Sequence, residues 1–511
     1  MLPLFAAKHL PFTDLPEHVA VVSSLFHHSD PAFHVREHYA FAFPHSQYVL
    51  FHLVATAITM VVRDPELATR LLLAVVGIAY PFSLRALLGS LRADRRLALF
   101  GALVFWNRAL AIGFLPFAAS VPVLVYALAN VIENAEAPTT RRRLVLVLLS
   151  VALFYLHVSS FIVLLVTAVV LTLALGAVRS GRAGMLASLR SLVWLMPSLA
   201  CVAAWLALGR LSIASANDSL PRGGEISYMS ARESLVVFPM WIHDVWHSHV
   251  DDVCALAWWG CLLAMVVSSI RGPAESLRTL GIRLLPLVCA LAVYFGTPFQ
   301  AGVGVMLNVR LAPLLALFSV LPLRPAKGRW TTIPLAVVAS ATLVMSVASA
   351  IEIHQCDTEE VADLDGLLDR MPMGSNVIAL NVEQSSGHAQ FAPWLYAATY
   401  HRIRKGGVVT FSFTSLGHWP MRYAEGGAPP AKKDPFWALD PCVFRNAEDG
   451  PFYDYLLVRG SALPFDSEPP GPRFRFVAST GAFSLYEKTS EPPWPAWSSP
   501  DLGPCHARPS D

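Results

Sequence analysis

Long apolar runs alternate with short arginine-bearing gaps from Leu67 to Ile351. A helix crosses the hydrocarbon core of a bilayer with about 20 apolar residues, and with somewhat fewer where the membrane is thin. The pattern therefore predicts ten membrane spans, at 67–89, 97–110, 113–133, 143–157, 158–178, 191–209, 253–270, 284–297, 306–323 and 331–350.

Two of the apolar runs are too long to be single spans. The run 142–178 would extend roughly 55 Å as one helix, so we expect it to break at His157. The run 97–133 is too long for the same reason, and the residues from Asn107 to Gly113 mark its break.

Basic residues in the gaps set the direction of the chain through the membrane. Cytoplasmic loops carry an excess of Lys and Arg, and with ten spans all five basic gaps fall on one side. We therefore expect residues 1–66 and everything after the last span to lie on the outer face. The basic gaps hold Arg92, Arg95 and Arg96; Arg141 to Arg143; Arg179, Arg182 and Arg190; Arg271, Arg278 and Arg283; and Arg324, Lys327 and Arg329.

One further apolar run, Gln47 to Val62, is not counted among the spans. If this run were a span, the N-terminal loop would lie in the cytoplasm. We therefore expect a helix that lies along the outer face of the membrane or dips into it. The loop at 1–66 then has no preceding span to carry it across. Either the chain inserts its N-terminus outward unaided or, as we expect, the natural gene encodes a further span upstream of Met1.

The composition after Ile351 is that of a soluble α/β domain. The fold class predicted for the whole chain is a membrane all-α polytopic bundle of about ten spans with a small soluble C-terminal α/β domain. The domains are an outer-face loop with juxtamembrane helices at 1–66, a transmembrane domain at 67–351 and an extracytoplasmic domain at 352–511. In the last of these, periodicity predicts helices at 361–371 and 390–404 and strands at 376–382, 408–413, 453–458, 474–478 and 483–487.

Composition and charge narrow the class further. Hydrophobic residues make up 55% of the chain and charged residues only 14%, whereas soluble proteins carry about 25% charged residues. A net charge of +2 gives no sign of nucleic-acid binding. Arginine far outnumbers lysine, which is typical of a GC-rich bacterial genome, so we expect a bacterial inner (cytoplasmic) membrane. Cys356 and Cys442 could form a disulfide if the tail lies outside the cytoplasm.

Polar residues that could take part in catalysis or ligand binding are concentrated in the outer loops. The first loop contains Asp14-Leu-Pro-Glu17-His18. Asp14 could simply cap the following helix. Alternatively, Pro16 disfavours helical geometry at Leu15 and would hold Asp14 off the helix, free to react.

Two residues lie at apolar span ends, where polar groups are costly. An arginine such as Arg310 in this position is by default functional, although it could pair with a lipid headgroup, and Asn308 lies two residues before it. The same argument applies more weakly to His157, because a backbone carbonyl could satisfy a neutral imidazole.

Histidines and carboxylates in the outer loops could also hold a metal. His243, Asp244 and His247 are candidate ligands for a divalent ion. Residues His34, Glu37 and His38 have the spacing of one helical face and could bind a metal, but an interfacial amphipathic helix accounts for them better. No cofactor is certain from these patterns.

Several of these segments together resemble the GT-C superfamily of membrane glycosyltransferases, which use polyprenyl-phosphate sugars as donors, and in particular its uncharacterised bacterial members. The matching segments are Asp14-Leu-Pro-Glu17-His18, Tyr48-Val-Leu-Phe-His52, Ala68-Thr-Arg70, Gly113-Phe-Leu-Pro-Phe117, Tyr155-Leu-His157 and Arg310. The resemblance implies transfer of a sugar from a polyprenyl-phosphate donor to an acceptor hydroxyl at the outer face, among membrane lipids.

The resemblance also implies roles for individual residues. Asp14 would be the catalytic base, with Glu17 as the alternative. Arg310 with Asn308 would clamp the phosphate, and His18 and His157 would orient or bind it. The second outer loop offers Asn107 and Arg108 where assayed members often carry an acidic residue, which counts against a two-carboxylate metal site.

A non-catalytic role is the competing interpretation. A flippase, polymerase or transport component for lipid-linked glycans would also need Arg and His at the outer face. Secondary transporters tend to have internal repeats and broken helices at the midplane. This chain has no evident repeat and its polar residues gather at one face, which favours an interfacial enzyme.

Overall fold

The chain is mainly helical. The computed structural model describes residues 1–43, 46–213, 226–270, 276–302, 304–326, 328–409, 412–416, 419–430, 440–460 and 471–493. Its helices in chain order are α1 Leu15–Phe26, α2 Val35–His38, α3 Val49–Val62, α4 Pro65–Ser90, α5 Phe100–Val104, α6 Arg108–Ile112, α7 Leu115–Glu136, α8 Thr140–Leu156, α9 Val158–Leu189, α10 Met196–Ile213, α11 Ala231–Ile242, α12 Val250–Ile270, α13 Leu277–Gly296, α14 Ala312–Ser319, α15 Arg329–Gln355, α16 Leu364–Asp369, α17 Thr399–Lys405 and α18 Asn446–Asp449.

Six helical segments in the described part of the chain are long and apolar enough to cross a membrane. They are Pro65–Ser90, Leu115–Glu136, Val158–Leu208, Val250–Ile270, Leu277–Gly296 and Arg329–Val361. Each of these segments overlaps most or all of at least one predicted span. Helix α7 is the most enclosed and packs against α4, α8 and α9, so it forms the centre of the bundle.

Both predicted breaks in the long apolar runs are confirmed. Helix α8 ends at Leu156, and His157 takes an extended backbone while its ring accepts a hydrogen bond from the amide of Ser159. Asn107 accepts from the amide of Leu110 to begin α6, and Gly113 ends that helix at a φ of 103°. At each break, a residue of the local sequence caps the end of a helix.

The segment Val158–Leu208 doubles back on itself. Ser180 and Gly181 leave helical geometry, with φ values of −146° and 59°. A Cβ added at Gly176 would lie 2.9 Å from the Cβ of Ser188, although residues twelve apart in a straight helix are about 18 Å apart. The reversal agrees with the two spans predicted at 158–178 and 191–209.

Three predicted spans are not among these six segments. The run 143–157 corresponds to α8, which has only 17 residues. The run 97–110 contains α5 and the start of α6, with a break between them, and the run 306–323 contains a 3-10 helix at Val309–Leu311 and the eight-residue α14. The residues of α14 from Ala312 to Phe318 are almost completely buried within the protein. Their apolar character therefore reflects a protein core as much as a lipid environment, and ten crossings are not confirmed.

Four of the five basic gaps meet at one end of the bundle. Arg92 forms an ion pair with Glu136 at 3.2 Å, and Arg179 donates to the Ala135 carbonyl at 2.7 Å. Arg283 donates to the Arg92 carbonyl at 2.7 Å. The proximity of these gaps agrees with the expectation that they share one side of the membrane.

The tail contains a four-stranded mixed sheet. Its strands are β4 Val377–Asn381, β6 Tyr455–Arg459, β7 Phe474–Thr480 and β8 Phe483–Lys488, in the order β4-β6-β8-β7. Strands β4 and β6 are parallel and the other pairs antiparallel. The four predicted strands at these positions are confirmed, whereas the strand predicted at 408–413 is reduced, in its described part, to a bridge between Val409 and Val377.

The predicted tail helices are shorter than expected. Helix α16 occupies six residues of the predicted 361–371, and α17 covers only the last part of the predicted 390–404. Gly406 and Gly407 follow α17 with φ values of 75° and 77°, as expected for a helix stop.

The N-terminal segment packs on the tail. Strand β1 (Tyr39–Phe41) pairs antiparallel with β5 (Met421–Tyr423), while the remaining two strands, β2 (Ile226–Ser227) and β3 (Gln300–Ala301), pair with each other. The ring of His9 lies between Asp357 and Asp365, at 2.9 Å and 3.0 Å from their oxygens. Residues separated by the whole transmembrane region therefore share one structure.

The disulfide between Cys356 and Cys442 that the sequence left open does not form. Cys356 is a buried free thiol, and Cys442 is disulfide-bonded elsewhere. Cys356 continues α15 into the tail, where the apolar surroundings enclose its side chain.

Arg404 is one of the cations that link the N-terminal region to the tail. Its guanidinium bonds both carboxylate oxygens of Glu66 in the first turn of α4, at 2.8 Å and 3.3 Å, and also pairs with Asp365 in α16. Bidentate pairs of this kind combine charge with fixed geometry.

We expect Arg404→Ala to destabilise the protein by about 2 kcal/mol, between the values for exposed and for buried ion pairs. The substitution leaves two half-buried carboxylates without their shared cation. Thermal unfolding of the purified protein in detergent measures the effect. The matched control is Arg475→Ala, whose pair with Glu487 is exposed, and equal stability of the two variants would contradict this role of Arg404.

Candidate functional site

Asp14 is held at the start of α1 by the loop that precedes α7. The amides of Thr13 and Asp14 donate to the carbonyls of Ala111 and Ile112, at 3.2 Å and 2.9 Å. A Cβ at Gly113 would lie only 2.7 Å from the Asp14 nitrogen, so a glycine is required both for this approach and for its positive φ. The position of Asp14 is therefore set by backbone contacts.

The Asp14 carboxylate makes no capping bond to α1 within the described structure. The capping interpretation is therefore not supported. Helix α1 begins at Leu15, so the expectation that Pro16 keeps Leu15 extended is wrong. Proline is favoured in the first turn of a helix, because the N–H group that it lacks would have no hydrogen-bond partner within the helix there.

The electrostatic environment of Asp14 makes it a strong base for a carboxylate. Burial raises its pKa to about 8, Arg310 opposes that rise, and Glu17 adds to it. A carboxyl group with a pKa close to the working pH suits general base catalysis.

Arg310 lies close enough to Asp14 for the two charges to interact, and it packs against an aromatic ring. Its Cζ is 3.8 Å from the centre of the Phe114 ring, and one of its terminal nitrogens donates to the Val305 carbonyl at 2.7 Å. Its buried Nε has no hydrogen-bond partner among the described residues. The guanidinium therefore keeps donor capacity for a ligand.

Tyr48 connects Arg310 to His157. Burial raises the pKa of the Tyr48 phenol, and the Arg310 charge opposes this rise. The rings of Tyr48 and His157 are 5.1 Å apart, and Phe117 lies 5.1 Å from the other side of His157. Three predicted residues, Asp14, His157 and Arg310, thus belong to one cluster.

Glu17 faces the tail and not this cluster. Its carboxylate is buried and accepts hydrogen bonds from the Thr399 hydroxyl (2.8 Å), the Ser412 hydroxyl (2.6 Å) and the Phe413 amide (3.0 Å). Ser412 in turn accepts from the buried Arg402 at 2.9 Å. With both oxygens occupied, Glu17 is a poorer candidate for the base than Asp14.

His18 is buried beside a second histidine. Its Nδ1 lies 3.0 Å from Nε2 of His52, whose Nδ1 donates to the Tyr48 carbonyl at 2.8 Å. Burial lowers the pKa of His18 well below its usual value and that of His52 to about 4. Trp419 of the tail packs against both rings. His18 is therefore a neutral group behind the cluster.

Asn308 lies two residues before Arg310 but faces α11. Its amide nitrogen is 3.5 Å from the Ser234 hydroxyl, and its carbonyl oxygen is buried with no partner in the described part of the chain. The structure thus places an unpaired acceptor close behind the arginine.

The predicted metal ligands do not come together. Asp244 pairs with Arg108 at 2.5 Å, His247 is exposed, and burial lowers the pKa of His243 to about 3. No group of three His, Cys, Asp or Glu in the described ranges is arranged to hold a metal ion. The salt bridge with Arg108 explains why Asp244 is not available as a ligand.

The roles of Tyr48, His52 and Phe114 in this site were not predicted from the sequence, although all three lie within the segments that carry the resemblance. Tyr48 and His52 are four residues apart at the start of an apolar helix, so they lie on one face, and two polar rings on such a face were a usable signal.

Comparison with known proteins gives a likeness in structure and none in sequence. No protein-family model matches the chain, and no curated protein matches it. ArnT from Cupriavidus metallidurans bound to undecaprenyl phosphate has a TM-score of 0.51 and 10% identity, with 96% of each chain covered. The same protein in the apo state has a TM-score of 0.51 and 10% identity over 95% of each chain. Over nearly its whole length, therefore, this membrane protein has the fold of ArnT.

Proposed function

We propose that the protein transfers a sugar from a polyprenyl-phosphate-linked donor to an acceptor hydroxyl at the outer face of a bacterial inner membrane. The observation that carries this proposal is a buried carboxylate and a buried arginine, Asp14 and Arg310, within the fold of a protein that binds undecaprenyl phosphate.

Asp14 is the base in this reaction. It takes the proton of the acceptor hydroxyl as the acceptor oxygen bonds to the anomeric carbon of the sugar. The bond from that carbon to the phosphate oxygen breaks, and the polyprenyl phosphate leaves with the electron pair. The raised pKa of Asp14 increases its proton affinity during this step.

Arg310 meets the charge of the departing phosphate. The Phe114 ring and the Val305 carbonyl fix the plane of the guanidinium. The unpartnered Nε supports this role, because an arginine that used all its donors internally would have fewer to offer a phosphate. Asn308 could contribute only through its amide nitrogen, which lies 3.5 Å from the Ser234 hydroxyl, while His157 and His18 orient the groups around the cluster.

The division into an outer loop (1–66), a transmembrane domain (67–351) and a soluble extracytoplasmic α/β domain (352–511) is part of the same proposal. Ten crossings put both termini on one face, and so do eight if neither broken element crosses. Contacts between the N-terminal segment and the tail support this common face. The disulfide at Cys442 favours an oxidising compartment.

A lipid-linked glycan flippase, polymerase or transport component remains the alternative. It would share the phosphate-binding arginine but would have no use for a base. The placement of Asp14 across from Arg310 therefore favours the enzyme, and loss of transfer without loss of lipid binding in an Asp14 variant separates the two.

We expect Asp14→Asn to lower sugar transfer by about 10²–10⁴-fold, because the amide keeps the size of the side chain but cannot take a proton. In the parent protein kcat/KM should rise with pH towards a plateau above pH 8, as Asp14 becomes ionised. Transfer from a panel of undecaprenyl-phosphate sugars by purified protein measures both.

Glu17→Gln is the matched control for Asp14. It should lower thermal stability, because the amide cannot accept all three hydrogen bonds from the tail. The folded fraction should keep a near-parental plateau rate, with the rising limb moved to lower pH because the Glu17 charge no longer raises the pKa of Asp14. A parental rate in purified Asp14→Asn would refute the assignment, and an exchange of the two results would make Glu17 the base.

We expect Arg310→Ala to weaken binding of undecaprenyl phosphate by roughly 10- to 100-fold, and Arg310→Lys to recover only part, because lysine lacks the planar fork. Arg324, in a basic gap at the opposite end of the bundle, provides the control substitution to Ala. Unchanged lipid binding in Arg310→Ala would remove this role.

We expect the tail to lie outside the cytoplasm. Periplasmic and cytoplasmic reporters fused after Pro493, at the end of the described part of the tail, and after Arg92 should give opposite signals. A cytoplasmic signal at both positions would overturn the predicted direction of the chain.

A further inference from the structure

Two buried histidines from different helices form a continuous polar bridge beside the proposed site. His52 of α3 is fully buried and His18 of α1 nearly so. The two nearest ring nitrogens are 3.0 Å apart. Phe51 and Trp419 enclose the pair, and neither of these residues titrates. A hydrogen bond in such apolar surroundings is strengthened, and breaking it is costly.

The contacts assign the hydrogens. The Tyr48 carbonyl can only accept, so Nδ1 of His52 carries a hydrogen, and Nε2 of the neutral ring is then an acceptor. Nδ1 of His18 therefore donates to it. The His18 side chain also makes a hydrogen bond with the Gly113 backbone, so each ring is bonded both to the other ring and to the main chain.

The bridge joins the two sides of the site. At one end, His52 holds the backbone of Tyr48, whose ring packs on His157 and whose phenol lies in the field of Arg310. At the other end, the His18 side chain is hydrogen-bonded to the backbone of Gly113, the glycine that packs directly against Asp14. Two imidazole rings therefore connect the backbone of Tyr48 to the turn that holds Asp14.

We propose that His52, together with His18, is a positioning residue that holds Tyr48 and Asp14 at the separation the reaction requires. The proposal rests on the proposed sugar transfer. Neither histidine touches the reacting atoms, and the two act through Tyr48 and Asp14. Displacement of a reacting group by about 1 Å can cost on the order of 10²-fold in rate.

Two substitutions at His52 divide the bridge into its halves. His52→Asn places an amide donor near the position of Nδ1, so it keeps the hydrogen bond to the Tyr48 carbonyl but loses the hydrogen bond to His18. His52→Gln places its amide near the position of Nε2, so it keeps the hydrogen bond to His18 but loses the hydrogen bond to the Tyr48 carbonyl. We expect each to lower kcat by roughly 10- to 100-fold with little change in KM, and the double variant His18→Ala with His52→Ala to lose no more than the worse of the two, because all act on one bridge.

The pH profile separates positioning from general destabilisation. When Asp14 is no longer held towards Arg310, the arginine stabilises its carboxylate less, so the rising limb of kcat/KM should move to higher pH in both variants. His401→Gln, at a buried histidine of α17 in the tail, should leave the limb in place. Binding of undecaprenyl phosphate should stay within about threefold of the parent.

The outcomes distinguish this inference from the proposed function. Parental kcat and an unmoved pH limb in both His52 variants overturn the positioning role while leaving sugar transfer intact. A parent protein that binds undecaprenyl phosphate but transfers no sugar overturns the proposed function and, with it, the bridge as a catalytic device. Equal losses in the His52 and His401 variants, with unmoved pH limbs, also overturn the positioning role.

Discussion

The backbone hydrogen bonds from Thr13 and Asp14 to the turn before α7 fix the rest of the site. The same turn ends in Gly113 and continues into Phe114, the ring on which Arg310 lies. One short stretch therefore positions the carboxylate through its amide and the arginine through an aromatic face. Main-chain bonds and a glycine conformation hold both groups without using either charge, which remains available to a ligand.

Much of this arrangement is readable from the sequence because local chemistry dictates it. Asn107, Gly113 and His157 each interrupt an apolar run, and each is a capping residue in the structure. Once those breaks are known, Asp14, His157 and Arg310 fall at the same end of the bundle. The span count is harder to read, because hydropathy does not separate a helix in lipid from one such as α14 that is enclosed by protein.

Side-chain pairing across long separations could not be predicted. The carboxylate of Glu17 looks as reactive in the sequence as that of Asp14, and only its partners Thr399 and Ser412 reveal a different role. In the same way, Asp244 reads as a metal ligand until Arg108 is seen to pair with it. A titratable residue is defined by its neighbours, and these come from segments that a pattern along the chain does not connect.

The distance along the chain between Glu17 and its partners has a consequence for biosynthesis. The two hydrogen bonds to Thr399 and Ser412 join residues 382 and 395 positions apart. At about 5–20 residues per second, helix α1 waits roughly 20 to 80 seconds after its synthesis before the ribosome supplies those partners. During that interval a carboxylate destined for the interior has no donors, and the loop bearing Asp14 lacks the surface that packs beside it. A chain that terminates early is thus left with an unfinished site, so that maturation of the N-terminal loop reports that translation has reached the tail.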